Sequence, residues 1–102
     1  MYKIEFDSLD WESPAEGVRF KLIRGEETQL RLIEFTPALS HPEWCITGHA
    51  GYILQGTLEV KFENEVHVYK EGDGVLIPDG EKHKHIPRAI TDTVLLLSVE
   101  KV

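Results

Sequence analysis

Gly72-Asp73-Gly74-Val75-Leu76-Ile77-Pro78-Asp79-Gly80-Glu81-Lys82-His83-Lys84-His85 is the stretch whose reading decides the fold. Gly72 and Gly80 can adopt backbone conformations closed to other residues, and Pro78 fixes φ while withholding an amide from any ladder. The chain is therefore expected to turn sharply twice around the short apolar strand Val75-Leu76-Ile77. Side chains repeat every second residue on a strand, so His83 and His85 are expected on one face of the strand that follows. A hairpin that delivers imidazoles to one face of a sheet is half of a ligand or metal site.

Upstream, Val66-His67-Val68-Tyr69 reads as a strand with His67 outward, and Glu63-Asn64-Glu65 as the turn before it. Leu58, Val60 and Phe62 mark one face of another strand, with Gly56 turning the chain into it. His49, after Gly48, opens a strand to Leu54, and Glu43 to Thr47 reads as a shorter one. Pro37 and Pro42 make the segment before that a loop. Val18 to Leu22 and Leu30 to Phe35 read as a hairpin. Residues 1 to 7 alternate Tyr2, Ile4 and Phe6 with Lys3, Glu5 and Asp7, which predicts a half-buried strand; residues 8 to 17 read as a loop with Trp11 as an anchor. Downstream, Thr93 to Glu100 predicts a final strand buried on both faces. About ten short strands separated by turn signals, with no helical periodicity, predict an all-β sandwich or barrel.

A chain of 102 residues with 41% hydrophobic and 28% charged residues suits one soluble globular domain and excludes disorder. The net charge of −7 argues against a nucleic-acid partner, because such binding needs clustered Lys and Arg. Lys82, Lys84 and Arg88 form a small basic patch beside the histidines, which favours an anionic small molecule as ligand. Cys45 is the only cysteine, so an internal disulfide framework is excluded. No apolar run has signal-peptide or membrane-spanning length, and the expected location is cytoplasmic with no membrane partner.

The opening stretch resembles the second signature of the cupin superfamily, with Gly72, Pro78, Gly80 and His83 at the family spacing. Pro87 stands where that signature often ends in asparagine. Tyr52-Ile53-Leu54-Gln55-Gly56-Thr57-Leu58-Glu59-Val60 is similar to the strand, glycine turn and strand that precede it in cupins. The resemblance implies a jelly roll, the double-stranded β-helix barrel of RmlC-like proteins. It spans residues 28–102 as the barrel, with residues 1–27 as N-terminal strands and a loop packing on it. A homodimer is expected as well, since small cupins commonly pair through sheet edges, with the N-terminal strands as candidates to cover a partner's edge.

Metal-binding cupins carry a first signature of two histidines, a glutamate and a glycine. Aligned on Gly56, its glutamate position falls on His49 and its histidine positions on Cys45 and Glu43, so spacing is kept while residue types change. Glu43 and Cys45 share a strand face, and a bend at Gly48 would bring His49 beside them. The expected metal set is Glu43, Cys45, His49 and His83, with His41 and His85 as secondary candidates. A thiolate with imidazoles favours a divalent transition metal, zinc or iron ahead of nickel or manganese. The plain alternatives are a buried apolar role for Cys45 and solvated positions for Glu43 and His41. The resemblance implies a dioxygenase- or isomerase-type metalloenzyme acting on a small anionic substrate, or instead a non-catalytic module that binds or senses a small ligand without metal. Catalytic residues are not identifiable at this level.

Overall fold

Alternating apolar residues, interrupted by Gly, Pro and Asn-containing turns, fold into strands wherever an edge finds a partner. The computed structural model describes residues 2–102. Nine strands occur among them: β1 (Glu12–Ala15), β2 (Val18–Arg24), β3 (Thr28–Phe35), β4 (His49–Gln55), β5 (Leu58–Phe62), β6 (Val66–Tyr69), β7 (Gly74–Ile77), β8 (His85–Ala89) and β9 (Val94–Lys101). Single 3-10 turns lie at Phe6–Ser8 and Glu81–His83. No helix of the described residues is long and apolar enough to cross a membrane.

The strands form a six-stranded sheet, in the order β1-β2-β3-β9-β4-β7, and a three-stranded sheet, β6-β5-β8. All ladders are antiparallel. The inner faces meet over Ile33, Ile53, Leu58, Val60, Val94 and Leu96, each nearly or fully buried. This is a jelly-roll sandwich, but the sheets are not closed into the barrel expected from the sequence. The 36–44 loop, with Pro37 and Pro42, adds no ladder. One isolated antiparallel bridge, Cys45 with His85, ties the segment before β4 to the small sheet.

The turns around the opening stretch form as expected, with φ of +93° at Gly72 and +121° at Gly80. Several other expectations are corrected. Residues 2–5 form no strand, and Met1, where that expectation began, lies outside the described residues. The expected loop at 8–17 instead contains edge strand β1, paired with β2. Trp11 does anchor the N-terminal segment: its ring lies 4.2 Å from the Arg19 guanidinium and 4.9 Å from Lys21 Nζ, which also donates to Phe6 O at 2.7 Å. Because β2 pairs with β3 along its whole length, the residues before 28 extend the large sheet as well as covering it.

Two strands invert the alternation that hydrophobicity suggests. On β3, Gln29 and Arg31 share the inner face with Ile33 and Phe35, while Leu30 and Leu32 face outward. On β6, His67 pairs with Val60 and so lies on the inner side at the open edge, leaving Val66 and Val68 exposed. On β9 only one face is fully buried: Val94, Leu96, Ser98 and Glu100 point inward, whereas Leu95 and Leu97 are half-buried and Val99 is exposed.

Candidate metal centre

The Cys45–His85 bridge explains why two residues distant in sequence project side by side. Cys45 N donates to His85 O at 2.9 Å and His85 N donates to Cys45 O at 3.0 Å. Directly opposed residues of an antiparallel pair point to the same face. The chain then crosses from one sheet to the other through Gly48, whose amide donates to Asp79 Oδ1 at 2.5 Å. A Cβ at position 48 would meet Ile77 O at 2.5 Å and Asp79 N at 2.7 Å, so only glycine permits this approach. His49 opens β4 immediately afterwards and faces back toward Cys45. The Cys45 thiol and the His49 and His85 rings thus each present a ligand atom within 4.8 Å of the others. The two rings meet edge to face at 5.2 Å.

Hydrogen bonds fix both tautomers. Ser98 Oγ donates to Glu100 Oε2 at 2.8 Å, so both oxygens near His49 Nδ1 are acceptors toward it, Ser98 at 2.8 Å and Glu100 at 2.9 Å. Nδ1 therefore carries the proton and Nε2 is free to accept or ligate. His85 Nδ1 donates to the His83 carbonyl at 3.0 Å. Its Nε2 is buried with no hydrogen-bond partner, an orphaned acceptor beside the thiol.

Glu100, with a side chain 1% exposed, sits at the hub of this arrangement. Arg31 grips it through Nε at 2.9 and 3.0 Å and Nη2 at 2.7 Å, and Gln29 Nε2 donates at 2.9 Å. Burial pushes the carboxyl up, but donors from His49, Arg31 and Gln29 outweigh it and hold the group at about 2. Burial likewise pulls His49 down, and contacts with Cys45 and Glu100 more than reverse this, so its net shift is upward. The neighbouring His49 and then His85 rings lower Cys45 from 9.0 to about 5 against the opposing effect of burial. The metal-free cysteine therefore favours its thiolate form.

The gathered set differs from the one expected. His83 ends the 3-10 turn and β8 starts at His85, so the two histidines do not share a strand face. His83 contributes its backbone carbonyl and is not among the cavity-lining residues; His85 stands where His83 was expected. His41 and Glu43 are exposed and line the cavity above the cluster without joining it. The basic patch also lies elsewhere: Lys84 reaches Glu81 at 3.5 Å and stacks over Trp44, Arg88 pairs with Glu59 at 2.8 Å, and neither they nor Lys82 lines the cavity. Gln29, Arg31, Ser98 and Glu100 were missed. Their signal was present, since each falls at the same strand parity as core residues Ile33, Phe35, Val94 and Leu96.

The cluster sits in the wall of a cavity of about 500 Å³ between the sheets. A thiolate and two neutral imidazoles match the donor set of a divalent transition ion, and the orphaned His85 Nε2 is the atom such an ion would satisfy. An ion held by these three side chains would keep coordination positions for a further ligand.

Residues 34–99 match the family described as the cupin domain. Among solved structures, the chain is similar to KdgF from Halomonas sp., at 22% identity over 93% of this chain and 89% of that one, with a TM-score of 0.76. It is also similar to an RmlC-like cupin from Shewanella frigidimarina, at 14% identity over 99% and 90%, TM-score 0.76. A sugar phosphate isomerase from a cupin superfamily of Silicibacter pomeroyi aligns at 17% identity over 98% and 75%, TM-score 0.80. At these identities the likeness is one of fold. Among curated proteins none matches the sequence. The family match covers well over half of a chain whose two facing sheets form a jelly roll, and the chain belongs to the cupin domain family.

Proposed function

We propose that this cupin binds a divalent transition metal, zinc or iron, through Cys45 Sγ, His49 Nε2 and His85 Nε2, and presents it to a small molecule in the cavity. The observation that carries the reading is the buried, partnerless Nε2 of His85, held in ligand-ready tautomer beside the thiolate and the second imidazole. When bound, such an ion supplies Lewis acidity at a carbonyl, enol or hydroxyl oxygen. The chain's own contribution is orientation: Glu100 and Ser98 fix His49, and the His83 carbonyl fixes His85. Glu43 and His41 at the cavity mouth are the side chains available for proton transfer.

Elemental analysis of untagged protein tests this directly. The wild type is expected to hold about one ion per chain. His85→Ala should lose it and His83→Ala should keep it; retention in the His85 variant, or loss in the His83 variant, overturns the assignment.

A second reading is favoured by the depressed Cys45 thiol and the order Cys45, His49, Glu100, which resembles a nucleophile, its base and an orienting carboxylate. It predicts rapid alkylation of Cys45 and no stoichiometric metal.

Self-association through the outer face of the large sheet accompanies the main reading. That face carries Leu30, Leu32, Leu97, Tyr52, Leu54 and Leu76, the last 83% exposed. A second copy of the chain is the proposed partner.

A further inference from the structure

We infer that the ligand of this cavity is a monoanion with an apolar body, its charged head at the Cys45–His49–His85 cluster and its hydrocarbon or aromatic part against the strand side chains. The inference rests on the metal reading and adds the chemical class of the ligand.

The walls carry it. Ile33, Phe35, Leu58, Val60, Val75 and Leu96 bound the cavity, and beyond the cluster its ionisable or hydrogen-bonding side chains are His41, Glu43 and Arg31. Arg31 is already committed, with three contacts of 2.7 to 3.0 Å to Glu100 and its guanidinium over the Phe20 ring at 5.1 Å. A sugar hydroxyl placed against these walls would lose water and gain no partner, whereas a methylene or phenyl group would be at home there. The volume of about 500 Å³ lies within the usual small-molecule range.

Charge decides the head group. A divalent ion with one thiolate and two neutral imidazoles keeps one net positive charge, and Arg31 cancels Glu100. One carboxylate or enolate neutralises that charge. A phosphate monoester would leave excess negative charge, and the remaining cations nearby, Lys82, Lys84 and Arg88, lie outside the cavity. Glu43 at the mouth adds to the penalty on a dianion.

The test uses the full chain loaded with cobalt(II), whose thiolate charge-transfer and ligand-field bands report both metal and ligand. Phenylacetate and hexanoate are compared with galacturonate, which has the same head charge on a polyhydroxylated body, and with glucose 6-phosphate. The two apolar acids are expected to shift the cobalt bands and to bind at least ten-fold more tightly than either sugar derivative. Ala15→Trp, at an exposed cavity-lining position on edge strand β1, is expected to weaken phenylacetate ten-fold or more while the ligand-free cobalt spectrum stays unchanged. Equal or tighter binding of galacturonate or glucose 6-phosphate overturns the inference, as does an intact cobalt spectrum that the apolar acids leave untouched. Absence of the thiolate–cobalt band removes the metal reading itself, and this inference with it.

Discussion

His49 Nδ1 and Glu100 Oε2 lie 2.9 Å apart across the β4–β9 ladder, and both side chains are buried. This contact sets the ring's tautomer and turns its Nε2 toward Cys45. Hydrogen-bonded carboxylates behind metal-binding imidazoles typically change metal affinity about 10- to 100-fold. Glu100→Gln is therefore expected to weaken zinc binding by a factor in that range while keeping the stoichiometry, as measured by competition against a chromophoric chelator. Unchanged affinity would show that the carboxylate serves only the fold.

The same carboxyl makes stability depend on acid. Its folded pKa of about 2 lies below the ordinary value of 4.5, so the folded state binds the proton less readily than the unfolded state. The stabilisation is present in full above about pH 4.5 and is lost as pH falls through 2, amounting to about 3 kcal/mol. Urea unfolding of metal-free protein should show the wild type losing this increment between pH 5 and 2. Glu100→Gln, less stable at neutral pH because Arg31 loses its partner, should lack that part of the slope.

Cys45 is expected to react as a thiolate well below the usual pH. With its pKa held at about 5 by His49 and His85, alkylation of the metal-free protein by iodoacetamide should reach half its maximal rate near pH 5. His49→Ala should move that midpoint upward toward the ordinary thiol value of 9.0. Zinc should suppress the reaction in the wild type; an unsuppressed reaction at saturating zinc would favour the nucleophile reading.

Replacing Leu76 by Glu places a charge on the most exposed apolar side chain of the outer sheet face, at edge strand β7. Sedimentation equilibrium is expected to show a dimer for the wild type and a monomer for Leu76→Glu, with unchanged circular dichroism. A monomeric wild type at tens of micromolar would remove self-association through this face.

Much of the fold was legible because strands announce themselves locally. The turn glycines 72 and 80, the hairpin of β2 with β3, and the strands around Gly56 all follow from short-range preferences. The N-terminal alternation misled, since Tyr2 to Phe6 has no neighbouring strand whose edge it completes. Alternation also gives two faces without saying which is inward. Leu30-Arg31-Leu32 and Val66-His67-Val68 read naturally with the apolar residues inward, yet Arg31 and His67 take the inner side, His67 at an open edge where it stays exposed.

The sequence by itself pointed to an all-β sandwich or barrel, which the cupin resemblance narrowed to a jelly roll, and it marked Glu43, Cys45, His49 and His83 for one metal site. Tertiary structure alone chose His85 over His83, because the 3-10 turn at Glu81–His83 shifts the start of β8 and with it the parity of the imidazoles. It alone also drew Gln29, Arg31, Ser98 and Glu100 inward. A buried carboxylate is tolerable only where several donors converge on it, and that convergence comes from the register of β3, β9 and β4, which no single strand encodes.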